Sequence, residues 1–226
     1  MGMLNPFPHT PPKELELRVA SYETEVHNWK SEVRTFPQEC LIVAQGFGPD
    51  STMIATEIAD TALLAYKIQR RKLFYWEFRE RLVSQMITIT ARKLIRLPIT
   101  TATRQGSLAV LAFSDRNWWL GVVGESILFL QRNNEQPLEI NTRTRSSSQL
   151  LGQTKKITPF LTSGESRAGD WYCVQTSAIL SKDIFTSAVE TVASTDPTAL
   201  IAHLQDVISH ASAQTTAVAV VYKTFV

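Results

Sequence analysis

The sequence has 226 residues, of which 44% are hydrophobic and 19% are charged, as in an ordinary globular protein. The net charge of +2 at pH 7 argues against a polyelectrolyte that binds nucleic acids or anionic membranes through its overall charge. There is no CxxC or HExxH motif and no G-x-G-x-x-G loop, which argues against the common zinc and dinucleotide sites. We therefore expect neither a membrane nor a nucleic-acid partner.

The two cysteines, Cys40 and Cys173, each lie inside an apolar run. This placement predicts buried free thiols and a reducing compartment. No apolar segment approaches the ~18 residues of a membrane-spanning helix, and the N-terminus has no apolar signal-peptide core. We expect a cytoplasmic protein.

The sequence of the N-terminal third predicts an arm, two strands and a helix. Residues 1–12 are rich in Pro and Asn and predict a flexible arm before a single domain at 13–226. LELRVASYE (15–23) alternates apolar and polar residues, as a half-buried strand does, and LIVA (41–44) predicts a fully buried strand. Ser51 to Ile68 then has helical periodicity.

A second helix is predicted from Leu73 to Ile95, followed by a meander of four strands. A long polar loop is expected at 142–168, then further strands and helices. The predicted elements after Ile95 are strands at 107–113, 118–123, 126–132, 137–141, 171–176 and 215–225, and helices at 181–193 and 197–210. Helix pairs inserted between antiparallel strands predict an α+β fold of two packed sheets with helices outside.

The order of these elements and five short segments resemble the metal-dependent, PPM-type (type 2C) protein serine/threonine phosphatases. The resemblance runs from about Leu15 to Phe225. In chain order the segments are AQGFGPDSTMIATEIADTALLA, RQGSLAVLAF, LGVVGESILFLQR, AGDWYCVQTSAIL and SAQTTAVAVVYK. The resemblance implies an α-β-β-α sandwich.

The resemblance also implies a site for two Mg²⁺ or Mn²⁺ ions held by aspartates, where a metal-bound water attacks phosphorus. At the matching positions this chain has Gln45-Gly46 for Asp-Gly, Ser177 for the aspartate after a Ser/Thr, and Gln214 in the last turn. Gln38-Glu39 is assigned to an early Glu-Asp pair. A neutral amide binds a hard cation more weakly than a carboxylate does, so we expect a degenerate site with no metal.

Two alternatives for the site stay open at this point. A rebuilt metal site would use Glu39, Asp50 and Glu125. Arg34 matches an arginine that holds the substrate phosphate in the family, so it is a possible anion-binding residue; a surface arginine is the simpler interpretation.

The resemblance leads to a pseudophosphatase as the first functional hypothesis. Such a protein would bind a partner, a kinase or a phosphoprotein, without hydrolysing it. Its candidate contact surface is the basic region 67–104 with the aromatic residues of 74–78. The alternatives are an active metal-dependent phosphatase with a non-standard site and an unrelated β-rich module.

Overall fold

The computed structural model describes residues 15–23, 28–72, 79–97, 105–114, 116–132, 135–141, 149–154, 156–176, 180–192, 195–211 and 217–225. The arm predicted for residues 1–12 lies outside these ranges. Within them, no helix is long and apolar enough to cross a membrane.

Ten strands and four helices make up the described part of the chain. In chain order they are β1 (Leu15–Glu23), β2 (Trp29–Phe36), β3 (Cys40–Phe47), α1 (Ser51–Lys72), α2 (Arg79–Ile95), β4 (Gln105–Phe113), β5 (Asn117–Val123), β6 (Ile127–Gln131), β7 (Leu138–Asn141), β8 (Phe160–Glu165), β9 (Trp171–Gln175), α3 (Lys182–Val192), α4 (Pro197–Ala211) and β10 (Ala217–Phe225).

The strands form two five-stranded antiparallel sheets. The first sheet has the order β1-β10-β9-β6-β7, and the second sheet has the order β2-β3-β4-β5-β8. Together with the helices they confirm the predicted α+β class.

Each sheet is covered on both faces, and β3 shows how the sequence achieves this. Ile42 and Ala44 face the helices and pack in one core with residues of α1 and α2. Leu41 and Val43 face the other way, into a second core shared by the two sheets. A third core lies between the first sheet and the helices α3 and α4. A strand covered on both sides needs a continuous apolar run, which is why LIVA does not alternate.

Two strands were not predicted. β2 was missed entirely, and β8 lies inside 142–168, where the prediction of a long loop was therefore wrong at 160–165. The predicted second helix is described from Arg79 onward, and residues 73–78 lie outside the described ranges.

A buried lysine lies between the sheets near the end of β10. The Lys223 side chain is 0% exposed. Its Nζ donates hydrogen bonds to Ser166 Oγ at 2.8 Å and to the Ser114 carbonyl at 3.0 Å. Ser166 Oγ in turn lies 2.6 Å from the hydroxyl of Tyr172.

The same network ends on one carboxylate, Asp170. Tyr172 donates to Asp170 Oδ2 at 3.0 Å, and Arg132 Nε donates to Oδ1 at 3.1 Å. Burial raises the pKa of Tyr172, and the nearby Asp170 raises it further, so this hydroxyl stays protonated and acts as a donor. Because Asp170 is the carboxylate that these hydrogen bonds reach, it offsets part of the positive charge of Lys223 and Arg132.

Asp170→Asn should therefore destabilise the protein strongly. Removing one partner of a buried charge pair costs about 3–5 kcal/mol, since it leaves a buried cation uncompensated. Urea denaturation of the wild type and the variant measures this loss. Glu139→Gln, at an exposed position on β7, is the control and should change the unfolding free energy by less than about 0.5 kcal/mol. A similar small change for both variants would contradict the role of Asp170.

The neighbouring edges of the two sheets are tied by Glu23. β1 is an edge strand of the first sheet and β2 is an edge strand of the second sheet. The half-buried carboxylate of Glu23 accepts a hydrogen bond from Val33 N at 3.0 Å. Burial raises the pKa of Glu23 and repulsion from Glu32 adds to it, while the hydrogen bond from Val33 and the charges of Lys30 and Arg34 oppose the shift.

Glu23→Gln should stabilise the protein near neutral pH. The glutamine keeps an acceptor for Val33 N but removes the charge that burial disfavours. The pKa of Glu23 is raised in the folded protein. The contribution of Glu23 to stability is therefore greatest below the ordinary glutamate pKa, and it is lost as the pH rises through the pKa of Glu23 in the folded protein. The gap in melting temperature between variant and wild type should thus be positive at about pH 7 and shrink towards pH 4. A variant less stable than the wild type at neutral pH would contradict this account.

Candidate functional site

Strand ends from both sheets meet at one edge of the sandwich. In the second sheet, the end of β3 pairs with the start of β4, and the start of β4 pairs with the end of β5. In the first sheet, the end of β9 pairs with the starts of β6 and β10. The turn between β5 and β6 crosses from one sheet to the other at Gly124. This edge is the mouth of the space between the sheets.

Three polar side chains form a row across the second sheet at this mouth. Gln45 pairs in register with Ser31 on β2 and with Ser107 on β4. Val33, Val43 and Ala109 each lie two positions away on the same strand, and they belong to or pack against the inter-sheet core. Since side chains alternate along a strand, all three polar side chains face the inter-sheet space. We call them the Ser-Gln-Ser row.

Glycines on the opposite face allow α1 to lie close behind this row. A Cβ on Gly46 would clash with the Ser51 carbonyl in the first turn of α1, and one on Gly106 would clash with the side chain of Ile58. Gly46 is therefore required by the close approach of helix and strand. Beyond the row, Gly124 has a φ of 86°, and a Cβ there would clash with Ser107.

The row is buried, and two of its polar atoms are unsatisfied. Relative exposures are 0% for Ser31, 3% for Gln45 and 1% for Ser107. Neither Ser31 Oγ nor Ser107 Oγ has a hydrogen-bond partner among the described residues. A buried polar group without a partner costs about 1–3 kcal/mol, and such groups are rare in folded proteins. Two of them around one glutamine mark this row as the candidate site.

The first sheet presents a second polar row across the mouth. Glu23 pairs in register with Ala217, and Thr176 extends the pairing of β9 with β10. Thr176 Oγ1 accepts a hydrogen bond from Ala217 N at 3.0 Å, so this hydroxyl is engaged within its own sheet. Glu23 thus supplies a carboxylate to a mouth whose facing row is neutral.

The donor set of the row does not fit a pair of divalent cations. Mg²⁺ and Mn²⁺ prefer carboxylate oxygens, and two adjacent ions need several negative charges to offset their repulsion. Ser31, Gln45 and Ser107 offer two hydroxyls and one amide, none of them charged. Among the described residues, no three His, Cys, Asp or Glu side chains are grouped so that they could hold a metal ion.

The structure does not bring Gln38 and Glu39 to this site. They lie in the turn between β2 and β3, at the other end of β3 from Gln45 and about 20 Å away at the usual rise of a strand. Gln38 Oε1 accepts a hydrogen bond from Leu17 N at 2.6 Å. Glu39 accepts one from the Tyr66 hydroxyl at 2.6 Å and pairs with Arg70 at 2.9 Å.

Arg34 lies on the helix-facing side of β2 and is bound to carboxylates. Its Nε lies 2.9 Å from Asp60 Oδ1, and its Nη1 lies 2.7 Å from Glu32 Oε2. Burial is the largest single influence on the pKa of Arg34 and lowers it. The hydrogen bonds and charges of Glu32 and Asp60 together outweigh burial, so the pKa is raised overall. Two carboxylates are thus the partners of this guanidinium, and anion binding by Arg34 stays a prediction.

The remaining predicted site residues are placed as follows. Asp50 precedes α1, and its carbonyl accepts a hydrogen bond from Ile54 N. Glu125 is exposed in the turn between β5 and β6. Because Glu39 lies at the far end of β3, Glu39, Asp50 and Glu125 do not form one metal site. Ser177 and Gln214 lie outside the described residues.

Sequence reasoning found Gln45 and Gly46 but missed Ser31, Ser107 and Glu23. A signal for Ser31 was available in WKSEVRTF, where the charged residues Lys30, Glu32 and Arg34 alternate with Trp29, Ser31 and Val33. This period of two is typical of a strand with one charged face. Recognising β2 would have placed Ser31 beside the end of β3.

Comparisons with known proteins bear on the fold. No protein-family model matches the sequence, and no curated protein matches it. Solved structures do match. One is the catalytic domain of the serine/threonine protein phosphatase PstP in complex with two manganese ions, with a TM-score of 0.74 at 16% sequence identity. The match covers 93% of this chain and 99% of that chain.

Two further matches have the same character. PppA, a key regulatory component of the T6SS in Pseudomonas aeruginosa, has a TM-score of 0.70 at 13% identity, with 92% of this chain and 98% of that chain covered. The PPM Ser-Thr phosphatase MsPP from Mycobacterium smegmatis has a TM-score of 0.67 at 15% identity, with coverages of 91% and 97%. The chain therefore has the fold of the PPM-type serine/threonine protein phosphatases.

Proposed function

We propose that this protein is a catalytically inactive, phosphatase-like binding module, that is, a pseudophosphatase. The observation that carries the proposal is the neutral Ser-Gln-Ser row at the mouth between the sheets. Gln45 occupies the end of β3, where the resemblance places the Asp-Gly turn of the active enzymes, and Gly46 keeps the close approach of α1. The row retains a buried polar site while lacking the charge that metal-dependent hydrolysis needs.

The chemistry of the row supports binding over catalysis. Hydrolysis of a phosphate ester requires an activated water and stabilisation of charge on the transferred group. A serine hydroxyl and a glutamine amide do neither without a metal or a base, and the Glu23 carboxylate already accepts a hydrogen bond from Val33 N. What the row offers is hydrogen bonding, which is sufficient to hold a ligand.

The proposed ligand belongs to a protein partner, a kinase or a phosphoprotein, in a cytoplasmic signalling setting. Cys40 and Cys173 are buried free thiols, which is compatible with a reducing compartment. On the α1 side, Leu64 is 54% and Ile68 45% exposed, and they lie one helical turn apart beside the exposed Lys67. Lys67 and Ile68 belong to the basic surface 67–104, of which residues 67–72 and 79–97 are described. The aromatic residues at 74–78 lie outside the described ranges.

The proposal is tested by titrating the protein with Mn²⁺ and measuring both heat of binding and hydrolysis of an aryl phosphate. The wild type should show neither binding at the mouth nor Mn²⁺-dependent turnover. Gln45→Asp should also lack activity, because one carboxylate does not balance two divalent ions. Gln136→Asp, at an exposed position, is a matched control for adding a charge.

Two results would overturn the proposal. Mn²⁺-dependent turnover by the wild type, lost in Asp50→Asn or Glu125→Gln, would establish a rebuilt active site. Turnover by Gln45→Asp alone would show that the remaining ligands are already present and that the site is closer to an active one than its neutral row indicates.

A further inference from the structure

We propose that the outer face of α1 binds the same face of a second copy of this chain, so that two molecules associate through antiparallel α1 helices. This inference goes beyond the proposed function and does not depend on the Ser-Gln-Ser row. Leu64 and Ile68 also belong to the contact surface proposed for a protein partner, so self-association would compete with binding of that partner.

The outer face of α1 carries large apolar side chains that reach solvent. Leu64 is 54% exposed, Ile68 is 45% exposed and Met53 is 48% exposed. Their spacing of eleven and four residues places them on one stripe of the helix. The inner face holds Ile54 and Ile58, which are fully buried in the core under α1 and α2. Because the inner face already anchors the helix, the outer stripe is available to another molecule.

The charged residues of this stripe change sign at Leu64. Asp60 lies about one turn before Leu64, and Lys67 lies about one turn after it. The Asp60 side chain is 57% exposed, although Arg34 Nε lies 2.9 Å from its Oδ1. Lys67 is exposed as well, and no carboxylate among the described residues pairs with it. The stripe thus has an acidic part, an apolar centre and a basic part, in that order along the helix.

This order of charges identifies the partner as a second copy of the chain. When two α1 helices cross antiparallel at Leu64, residues one turn before Leu64 in one copy lie opposite residues one turn after it in the other. Asp60 of each copy then faces Lys67 of the other copy, and Leu64 packs against its own counterpart. A twofold contact forms each favourable pair twice.

A surface of uniform charge fits the stripe less well. An acidic surface would pair with Lys67 and be repelled by Asp60, and a basic surface would have the opposite conflict. The complementary surface needs the two charges in reversed order around an apolar centre. The same stripe turned by 180° provides this order.

A contact of one helix pair is small, so we expect a weak dimer. Stable interfaces bury about 1,200–2,000 Å², and smaller contacts belong to transient complexes. We therefore expect a dissociation constant on the order of 10–100 µM. Because the ion pairs lie at an exposed rim, the dimer should weaken as the salt concentration rises.

The first test is sedimentation equilibrium of the wild type, Lys67→Glu and Asp60→Lys. Each variant brings like charges together across the twofold axis, so each alone should dimerise about tenfold more weakly than the wild type. An equimolar mixture of the two variants should regain dimerisation, because an acidic face then meets a basic face. Recovery in the mixture also shows that both variants are folded. Lys156→Glu, at an exposed lysine before β8, is the control and should behave as the wild type.

The second test removes the apolar centre. Leu64→Ala/Ile68→Ala should weaken the dimer by about tenfold, because most of the apolar area at the axis is lost. Alanine is a favourable helix residue, so α1 itself should persist. The matched control is Ile184→Ala/Val207→Ala, at exposed apolar positions of α3 and α4, and it should dimerise as the wild type does.

Three results would overturn the inference. The first is a wild type that stays monomeric at about 0.5 mM, well above the expected dissociation constant. The second is a mixture of Lys67→Glu and Asp60→Lys that dimerises no better than either variant alone. The third is an unchanged dimer in Leu64→Ala/Ile68→Ala. All three are distinct from failure of the proposed function, which is decided by Mn²⁺-dependent hydrolysis.

Discussion

The exclusion of water from the space between the two sheets is the constraint on which the rest of this structure depends. Both faces of each sheet are covered, so a polar side chain that points between the sheets has to find its partners there. Near the end of β10, Lys223 meets this requirement through Ser166, Tyr172 and finally Asp170. At the mouth, Ser31 and Ser107 do not meet it. The lysine is integrated into the fold by its hydrogen bonds, whereas the two hydroxyls are buried without a partner among the described residues.

Most of the fold follows from patterns in the sequence because burial on two faces leaves a clear signal. LIVA and the meander strands are continuous apolar runs, and α1 and α2 carry one apolar stripe each. The exceptions have physical reasons. β2 puts Lys30, Glu32 and Arg34 on a face that only the edge of α1 covers, so it looks like a polar segment. β8 is an edge strand with no fully buried residue, and FLTSGE therefore resembles a loop.

The candidate site was predicted less completely than the fold because it is assembled from several strands. Gln45 was identified, since the apolar run and glycine turn around it are local features. Gln38 and Glu39 were assigned to the same site because β2 was not recognised, and the structure separates them from Gln45 by the length of β3. Ser107 carries no local signal at all. Its significance comes from its register with Gln45, which depends on strand pairing across sixty residues of sequence.

The hydrogen bond from Val33 N to Glu23 also affects how this molecule meets copies of itself. β2 is one of the two edge strands of its sheet, and edge strands expose backbone groups to which another chain can add a strand. Glu23 occupies one of those groups with a charged side chain from the other sheet. An incoming strand would have to displace that carboxylate and then lie against its charge. The contact that closes the seam between the sheets thus also protects this edge against intermolecular strand addition.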